Sequence, residues 1–462
     1  MPLNVDSFSG KRVSVIGGGI SGAGLARLAR RLGARVFVSD EKILQDRSFV
    51  ANFQSHGIEW EEGGHTPRLF EADYVLVGSG ISPNASSVVE STRRTIPVIG
   101  ELDFVAPFLN SKIIGVTGSN GKSTTTALIG FLLQKAGFSA EVGGNIGKSL
   151  ADFAFEQRDF LVVELSSFQL HWNTGFACDL AMVTNLAPDH IDWHGSYEEY
   201  IRAKAKILST QIPGSYAIVQ ETERSVLFGD HEKPGPEVLT FSWDGSRSSH
   251  GRRLLADENA RRVVLREETG AEELLFSFDD VPLIGKHNLE NAAFAAGAVR
   301  MLTGEGVMRG SLFSGFKGLA HRCEFVATIR GVTYVDDSKG TNVAASATAL
   351  RSLTGPKIVI LGGQGKGEEY APLAEAVKNE AMAAVVLGSE KDRIVEALKR
   401  AEFPHIHEAS SMEDAVRTAS TLAVPQCTVL LSPACTSWDM YPNYKKRGEH
   451  FQQLVLALKE ER

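Results

Sequence analysis

Short runs of Val and Ile, each closed by glycine or a polar turn and followed by a helical stretch, recur along almost the whole chain. They lie at residues 12–16, 35–38, 74–77, 112–116, 160–163, 181–183, 357–361, 383–387 and 428–431. An unbroken apolar run suits a strand covered on both faces, and neighbouring parallel strands need a helix-sized crossover between them. The alternation therefore predicts an α/β protein built on parallel sheets. A chain of 462 residues is too long for one core. Three domains are expected, at residues 1–100, 101–318 and 319–462. Between 214 and 280 the texture changes, with TFSWDGSRSSHGRRL, RRVVLREE and LLFSF separated by polar turns. That stretch predicts a small antiparallel excursion inside the middle domain.

The formal charge of −8 removes the electrostatic signature of a nucleic-acid binder. Four cysteines without metal-type spacing fit a reducing compartment. The N-terminus lacks a charged-then-apolar leader, and no apolar run is long enough to span a bilayer. A cytoplasmic enzyme with no nucleic-acid partner and no membrane insertion is the expectation.

The run VSVIGGGISG follows the first strand and opens a helix. Gly17, Gly19 and Gly22 fit G-x-G-x-x-G, and Asp40 ends the next strand about twenty residues on. Bare backbone there lets a pyrophosphate approach helix N-terminal amides. The pyrophosphate can be that of NAD or FAD, or that of another diphosphate such as a UDP-sugar. A tight turn with no ligand is the third reading. A second glycine loop, GSGISP from Gly78, follows the strand at 74–77 and either lines the same crevice or is only a turn.

TGSNGKSTTT, starting at Thr117, sits between a strand and a helix expected over 124–136. The common phosphate loop, G-x-x-x-x-G-K-[S/T], would need a glycine where Val116 stands; here the glycines fall at 115 and 118. The parts survive the altered spacing. Gly118 and Gly121 allow tight turns whose amides face a phosphate, Lys122 supplies a point charge, and Ser123 can ligate Mg²⁺. Glu164 ends an apolar strand, where a Mg²⁺ ligand belongs, or it caps the following turn. NLAPDHIDWH places His190 and Asp192 after another strand; a lone histidine is more often structural than a ligand. In the helical stretch YEEYIRAKAK, Lys204 and Lys206 read by spacing as solvated surface charges.

TGSNGKS, ELSSFQ from Glu164, the Asn185…Asp189-His190-Ile-Asp192 run and YIRAK ending at Lys204 together resemble the central domain of the ATP-dependent Mur ligases. GKHNLEN from Gly285, His321-Arg322, DDSKGTN from Asp336, LGGQGKG from Leu361 and SPACTSWDMYPNYKKRGEHF from Ser432 continue the likeness in order, and the last resembles the branch that adds glutamate.

The resemblance implies three domains: Rossmann-like, then a P-loop ATPase-like parallel sheet, then Rossmann-like again. It implies ATP-dependent, ADP-forming ligation of glutamate to UDP-N-acetylmuramoyl-L-alanine in peptidoglycan synthesis, by a monomer. Gly17, Gly19, Ile20, Ser21, Asp40, Gly80, Asn145, Ser166 and His190 would then serve the UDP-substrate rather than NAD. Gly118, Ser119, Asn120, Gly121, Lys122, Ser123 and Thr124 would hold ATP, with Asn288 at adenine, Asp337 at the ribose and Arg322 at phosphate. Ser123, Glu164, His190 and Lys204 would share two Mg²⁺ ions, Lys204 as a carbamate formed with CO₂. Lys122, Lys204, His190 and Arg322 would be the catalytic set. Lys339, Thr341, Lys366, Ser437 and Tyr444 would form the glutamate pocket. Trp438 and Tyr444 stand where a smaller aliphatic and a phenylalanine are expected, which leaves D- against L-glutamate open. An NAD-dependent oxidoreductase, a folylpolyglutamate synthetase-like ligase and a non-catalytic ATP switch are the rival readings.

Overall fold

A computed structural model describes residues 7–229, 235–243, 251–283, 285–304, 312–365 and 367–459. Lys366 thus lies outside the described residues. The chain forms three sheets distributed over two compact units, Met1–Asp280 with Glu290–Ser314, and Val281–Leu289 with Gly315–Arg462.

The first sheet contains β1 (Arg12–Ile16), β2 (Arg35–Asp40), β3 (Glu59–Glu62), β4 (Tyr74–Val77) and β5 (Val98–Gly100), in the order β3-β2-β1-β4-β5, all parallel. β1 is the switch point, with β2 on one side and β4 on the other. A ligand crevice forms at the carboxyl ends of strands where order reverses. The loop after β1 opens the helix Ile20–Arg31 there.

The second sheet contains β6 (Lys112–Thr117), β7 (Ala140–Gly144), β8 (Phe160–Glu164), β9 (Leu180–Val183), β10 (Tyr216–Gln220), β11 (Glu237–Trp243), β12 (Arg253–Asp257), β13 (Arg262–Arg266) and β14 (Glu272–Ser277). Its order is β14-β13-β12-β11-β10-β9-β6-β8-β7. The expected antiparallel excursion is smaller than its sequence texture suggests. β11 pairs in parallel with both β10 and β12, and only β12-β13-β14 run antiparallel. Polar turns alone do not fix strand direction; β11 is reached by a crossover from β10, which permits parallel pairing. β6 lies between β8 and β9, and the register sets Val116 opposite both Glu164 and Met182. The loops after these three strands therefore open on one edge.

The third sheet contains β15 (Glu324–Ile329), β16 (Val332–Asp336), β17 (Lys357–Gly362), β18 (Ala383–Leu387), β19 (Ile406–Glu408) and β20 (Thr428–Leu431), in the order β15-β16-β20-β17-β18-β19. Only the β15-β16 hairpin is antiparallel. β17 and β18 are buried at every position, and helices cover both faces.

Among the described residues, no helix is long and apolar enough to cross a membrane.

Candidate active site

The loop after β6 is held open by its own neighbours. Gly118 and Gly121 take φ of +145° and +82°, conformations closed to most side chains. A Cβ on Gly118 would stand 2.0 Å from Thr184 Oγ1, and one on Gly121 2.3 Å from Asn291 Oδ1. The Ser119 amide donates to the Asn185 carbonyl and the Asn120 amide to Asn185 Oδ1, each at 2.8 Å. The helix Lys122–Lys135 starts immediately after Gly121, two residues before the expected start at 124. Ser123 and Thr124 are buried in its first turn. Lys122 Nζ folds back on the loop, donating to the carbonyls of Gly118 at 2.8 Å and Ser119 at 2.9 Å. With the glycines displaced, the loop still has the parts of a phosphate cradle: a helix N-terminus, permissive turns and a lysine.

Lys204 is the largest departure from the spacing argument. It is 1% exposed, whereas spacing read it as surface. In the helix Tyr197–Ser209 the buried residues are Tyr200, Ala203, Lys204, Ile207 and Leu208, one stripe at helical period. That stripe was the available signal, because 204 falls on it and 206 does not. Lys204 Nζ donates to the Gly118 carbonyl at 2.7 Å and to Thr117 Oγ1 at 3.3 Å, and lies 4.7 Å from the Tyr200 ring centroid. Tyr200 in turn shares a 2.9 Å hydrogen bond with Ser119 Oγ. Burial, and then the nearby Lys122 charge, hold the Lys204 amine well below the usual lysine range, which favours its neutral form. Lys206 instead turns its Nζ to the His171 carbonyl.

Glu164 ends β8 and is 2% exposed. Its Oε1 accepts from Asn145 Nδ2 at 2.9 Å, while its Oε2 is buried with no hydrogen-bond partner. A buried carboxylate oxygen left without a donor is costly unless something else completes it. A cation would satisfy it. The donor set fits magnesium: oxygen ligands from Glu164 and Ser123 beside a phosphate loop. His190 stands in a left-handed turn (φ 52°), half-exposed, its ring 4.7 Å from that of Phe168 and its Nε2 3.5 Å from Asp189.

Among the described residues, three metal-type side chains converge only at His321, Glu324 and Asp336. Hydrogen bonds already occupy that cluster. His321 Nδ1 contacts Asp336 at 2.7 Å, and Gln452 Nε2 donates to Asp336 at 2.8 Å and to Glu324 at 3.0 Å. It is a structural network under the loop that follows β16.

In the first sheet, Gly17 takes φ +90°, and a Cβ on Gly22 would stand 1.8 Å from the Gly17 carbonyl oxygen. Asp40 turns toward the loop, accepting from the Gly18 amide at 2.7 Å and the Lys42 amide at 2.8 Å. Gly80 lies in the turn after β4 and its carbonyl accepts from Trp193 Nε1 at 3.4 Å. Ile20 is exposed, and Ser21 Oγ is buried without a hydrogen-bond partner. Ser166 caps the helix Ser167–His171 in a reciprocal box with Gln169.

In the second unit, Asn288 is buried near the start of the helix Lys286–Thr303. Arg322 acts electrostatically on both His287 and Asp337, and its Nε is buried without a hydrogen-bond partner. Burial pushes the Asp337 carboxyl up to about 6, opposed by a 2.7 Å hydrogen bond from Ser432 Oγ. Lys339 Nζ lies 5.8 Å from the Tyr444 ring centroid. Thr341 follows in the same loop, its amide on the Lys339 carbonyl at 2.9 Å. Ser437 is 2% exposed, and its hydroxyl has no partner. Trp438 is 67% exposed, which makes it a surface residue. Sequence reasoning missed Arg447. Fully buried, it donates from Nε to Ser338 Oγ, from one terminal nitrogen to the Thr436 carbonyl, and from the other to the carbonyls of Ser338 and Cys435, at 2.8–3.1 Å. It thereby ties the loop carrying Lys339 to the loop carrying Ser437.

Three family models match the chain: the MurD N-terminal domain over residues 12–88, the Mur ligase middle domain over 116–299, and the Mur ligase glutamate ligase domain over 321–435. A UDP-N-acetylmuramoylalanine--D-glutamate ligase from Bacteroides fragilis is 36% identical over 456 residues, covering 97% of this chain and 100% of the relative. The protein of the same name from Pelotomaculum thermopropionicum is 36% identical, covering 98% and 99%. Among solved structures, MurF ligase from Thermotoga maritima in complex with ADP superposes with a TM-score of 0.59 at 18% identity, covering 99% of this chain and 97% of that one. UDP-N-acetylmuramate-alanine ligase from the same organism gives 0.57 at 15% identity, covering 97% and 100%. With three models in order and relatives matched end to end, the chain belongs to the Mur ligase family of ATP-dependent, ADP-forming ligases.

Proposed function

We propose that this enzyme joins D-glutamate to UDP-N-acetylmuramoyl-L-alanine, through an acyl phosphate, in peptidoglycan precursor synthesis. The observation that carries the reading is the buried Lys204 amine against the Gly118 carbonyl of the phosphate loop. A surface ornament would not sit there, whereas an amine kept neutral by burial can take up CO₂. The amine nitrogen bonds to the carbon of CO₂ and gives up one proton, so a neutral amine becomes a carboxylate-like anion. The full-length relatives supply the identity of the substrates by their name.

Residues 1–100 would hold the UDP-substrate through Gly17, Gly19, Ile20, Ser21, Asp40 and Gly80, joined by Asn145, Ser166 and His190. Asp40 already engages the Gly18 amide, which favours a loop-shaping role over the ribose contact a dinucleotide enzyme would require. Residues 101–318 would hold ATP at Gly118–Thr124, and residues 319–462 would bring Arg322 and Asp337, with Asn288 at adenine. Ser123, Glu164, His190 and carbamylated Lys204 would hold magnesium, which when bound offsets the charge of phosphate and carboxylate.

The L-alanyl carboxylate attacks the γ-phosphorus of ATP and ADP leaves. Lys122 and Arg322 oppose the repulsion between two anions. The amine of glutamate then attacks the acyl carbon, and phosphate departs with the bonding pair and takes up the proton that the new amide nitrogen sheds. Lys339, Thr341, Lys366, Ser437 and Tyr444 orient glutamate; cationic and hydroxyl donors suit its two carboxylates. The exposure of Trp438 supports a place at the rim, and the D form is proposed from the names of the full-length relatives. His190 positions the acceptor.

The test is phosphate release coupled to product analysis with UDP-N-acetylmuramoyl-L-alanine, comparing D- and L-glutamate. Amide product with D-glutamate is expected. Product with L-glutamate alone would reassign the branch, and ATP-independent activity with NAD would overturn the reading.

A further inference from the structure

Glu101 begins the short helix Glu101–Val105 directly after β5 and is 3% exposed. A carboxyl so deep is normally paired with a cation. Its partners are instead neutral. Gln169 Nε2 donates to Oε2 at 2.9 Å, and Ser149 Oγ lies at 3.5 Å from Oε1. The Ser21 hydroxyl, buried and with no hydrogen bond of ordinary length, acts electrostatically on the same carboxyl, and the charge that reaches it is a second acid, Asp152. Burial pushes the Glu101 pKa up, in keeping with a protonated group that both accepts and donates.

The partners matter more than the acid. Gln169 Oε1 accepts from the Ser166 amide and from Ser166 Oγ, both at 3.0 Å, so the bond from Gln169 Nε2 to Glu101 fixes which way that amide faces. If the Gln169 amide turned over, Ser166 would meet an NH₂ where it now meets an oxygen. Ser21, on the other side, stands in the first turn of the helix Ile20–Arg31, directly after the glycine loop. The room is tight as well: a Cβ on Gly24 would stand 2.2 Å from Ser149 Oγ. One carboxyl thus binds the helix after β8 through Gln169 and acts on the first turn of the helix after β1 at Ser21.

We infer that Glu101 is a positioning residue of the acceptor site, fixing the Gln169 amide and through it Ser166, with Ser21 facing the same carboxyl. The inference rests on the proposed role of those two serines in holding the UDP-substrate. Glu101 itself does not touch the reacting atoms.

The experiment compares Glu101→Gln, which keeps a neutral donor and acceptor, with Glu101→Ala and Glu101→Met, the latter filling the volume without a hydrogen bond. Two readouts are taken on the full chain: KM for each of the three substrates, and amide hydrogen exchange at Ser166 and Gln169. Glu101→Ala and Glu101→Met should raise KM for the UDP-substrate at least tenfold, leave KM for ATP and glutamate within twofold, and speed exchange at Ser166. Glu101→Gln should restore both readouts. The inference is overturned if Glu101→Gln behaves as Glu101→Ala does, which would mean that an ionised carboxylate is required. It is equally overturned if all three KM values move together, or if exchange at Ser166 is unchanged in Glu101→Met. A wild-type chain that does not turn over the UDP-substrate would count against the proposed function, while the exchange readout would still decide this inference.

Discussion

Lys204 Nζ and the carbonyl oxygen of Gly118 are 2.7 Å apart, although 86 residues separate them in the chain. The contact puts the one buried amine of the helix Tyr197–Ser209 against the backbone of the phosphate loop.

Lys204→Ala should therefore stop ligation, by roughly 10²- to 10³-fold or more, the scale for removing one electrostatic group from a preorganised site. Added acetate or bicarbonate should restore part of the rate, because a carboxylate is what the site then lacks. Full activity of Lys204→Ala without additives would end the carbamate role.

Lys122→Ala removes the charge that Gly118 and Ser119 hold over the loop. ATP turnover should vanish while the UDP-substrate still binds by calorimetry. Loss of both would point to misfolding rather than to phosphate contact.

Gly118→Ala introduces a methyl group 2.0 Å from Thr184 Oγ1 at a φ of +145°. A cost of about 1–3 kcal/mol in stability is expected from the backbone strain alone. Urea midpoints should fall accordingly and ATP affinity should drop further. An unchanged midpoint would show that the loop relaxes freely.

Ser437→Ala deletes a buried hydroxyl that makes no hydrogen bond. Stability should hold or rise, by up to about 1 kcal/mol, since an unsatisfied polar group is relieved. KM for glutamate should rise with little change in KM for ATP. A fall in melting temperature with no effect on glutamate would remove Ser437 from the pocket.

The hydrogen bond that the protonated His321 ring donates to Asp336 raises the His321 pKa above its ordinary value of 6.5. The folded state thus favours the protonated ring. Its stabilisation is complete below the unfolded value and is lost as pH climbs through the folded one. As pH rises above the ordinary histidine value, melting temperature should decline more steeply in the wild type than in His321→Gln. Parallel curves would refute the linkage.

Much of this was legible in the residues because local rules and tertiary structure agree. Every apolar run named from the sequence is a strand, and the loop from Thr117 joins strand to helix as its glycines require. The edge strand β3, sequence EWEE, was not legible, since it is polar and only half-buried. β11 was misjudged because strand direction depends on crossovers, not on composition. Lys204 was misjudged because its charge outweighed its place on the stripe with Tyr200 and Ile207. Arg447 carried no signal, as nothing local predicts that a guanidinium will be spent on backbone carbonyls drawn from two distant loops.

That guanidinium has a temporal consequence. Translation proceeds from the amino end, so the segments around Ser338 and Cys435 leave the ribosome before Arg447 does. Until it emerges, nothing locks them together by this route. A nascent chain can thus form each of these two loops before the clamp that joins them exists.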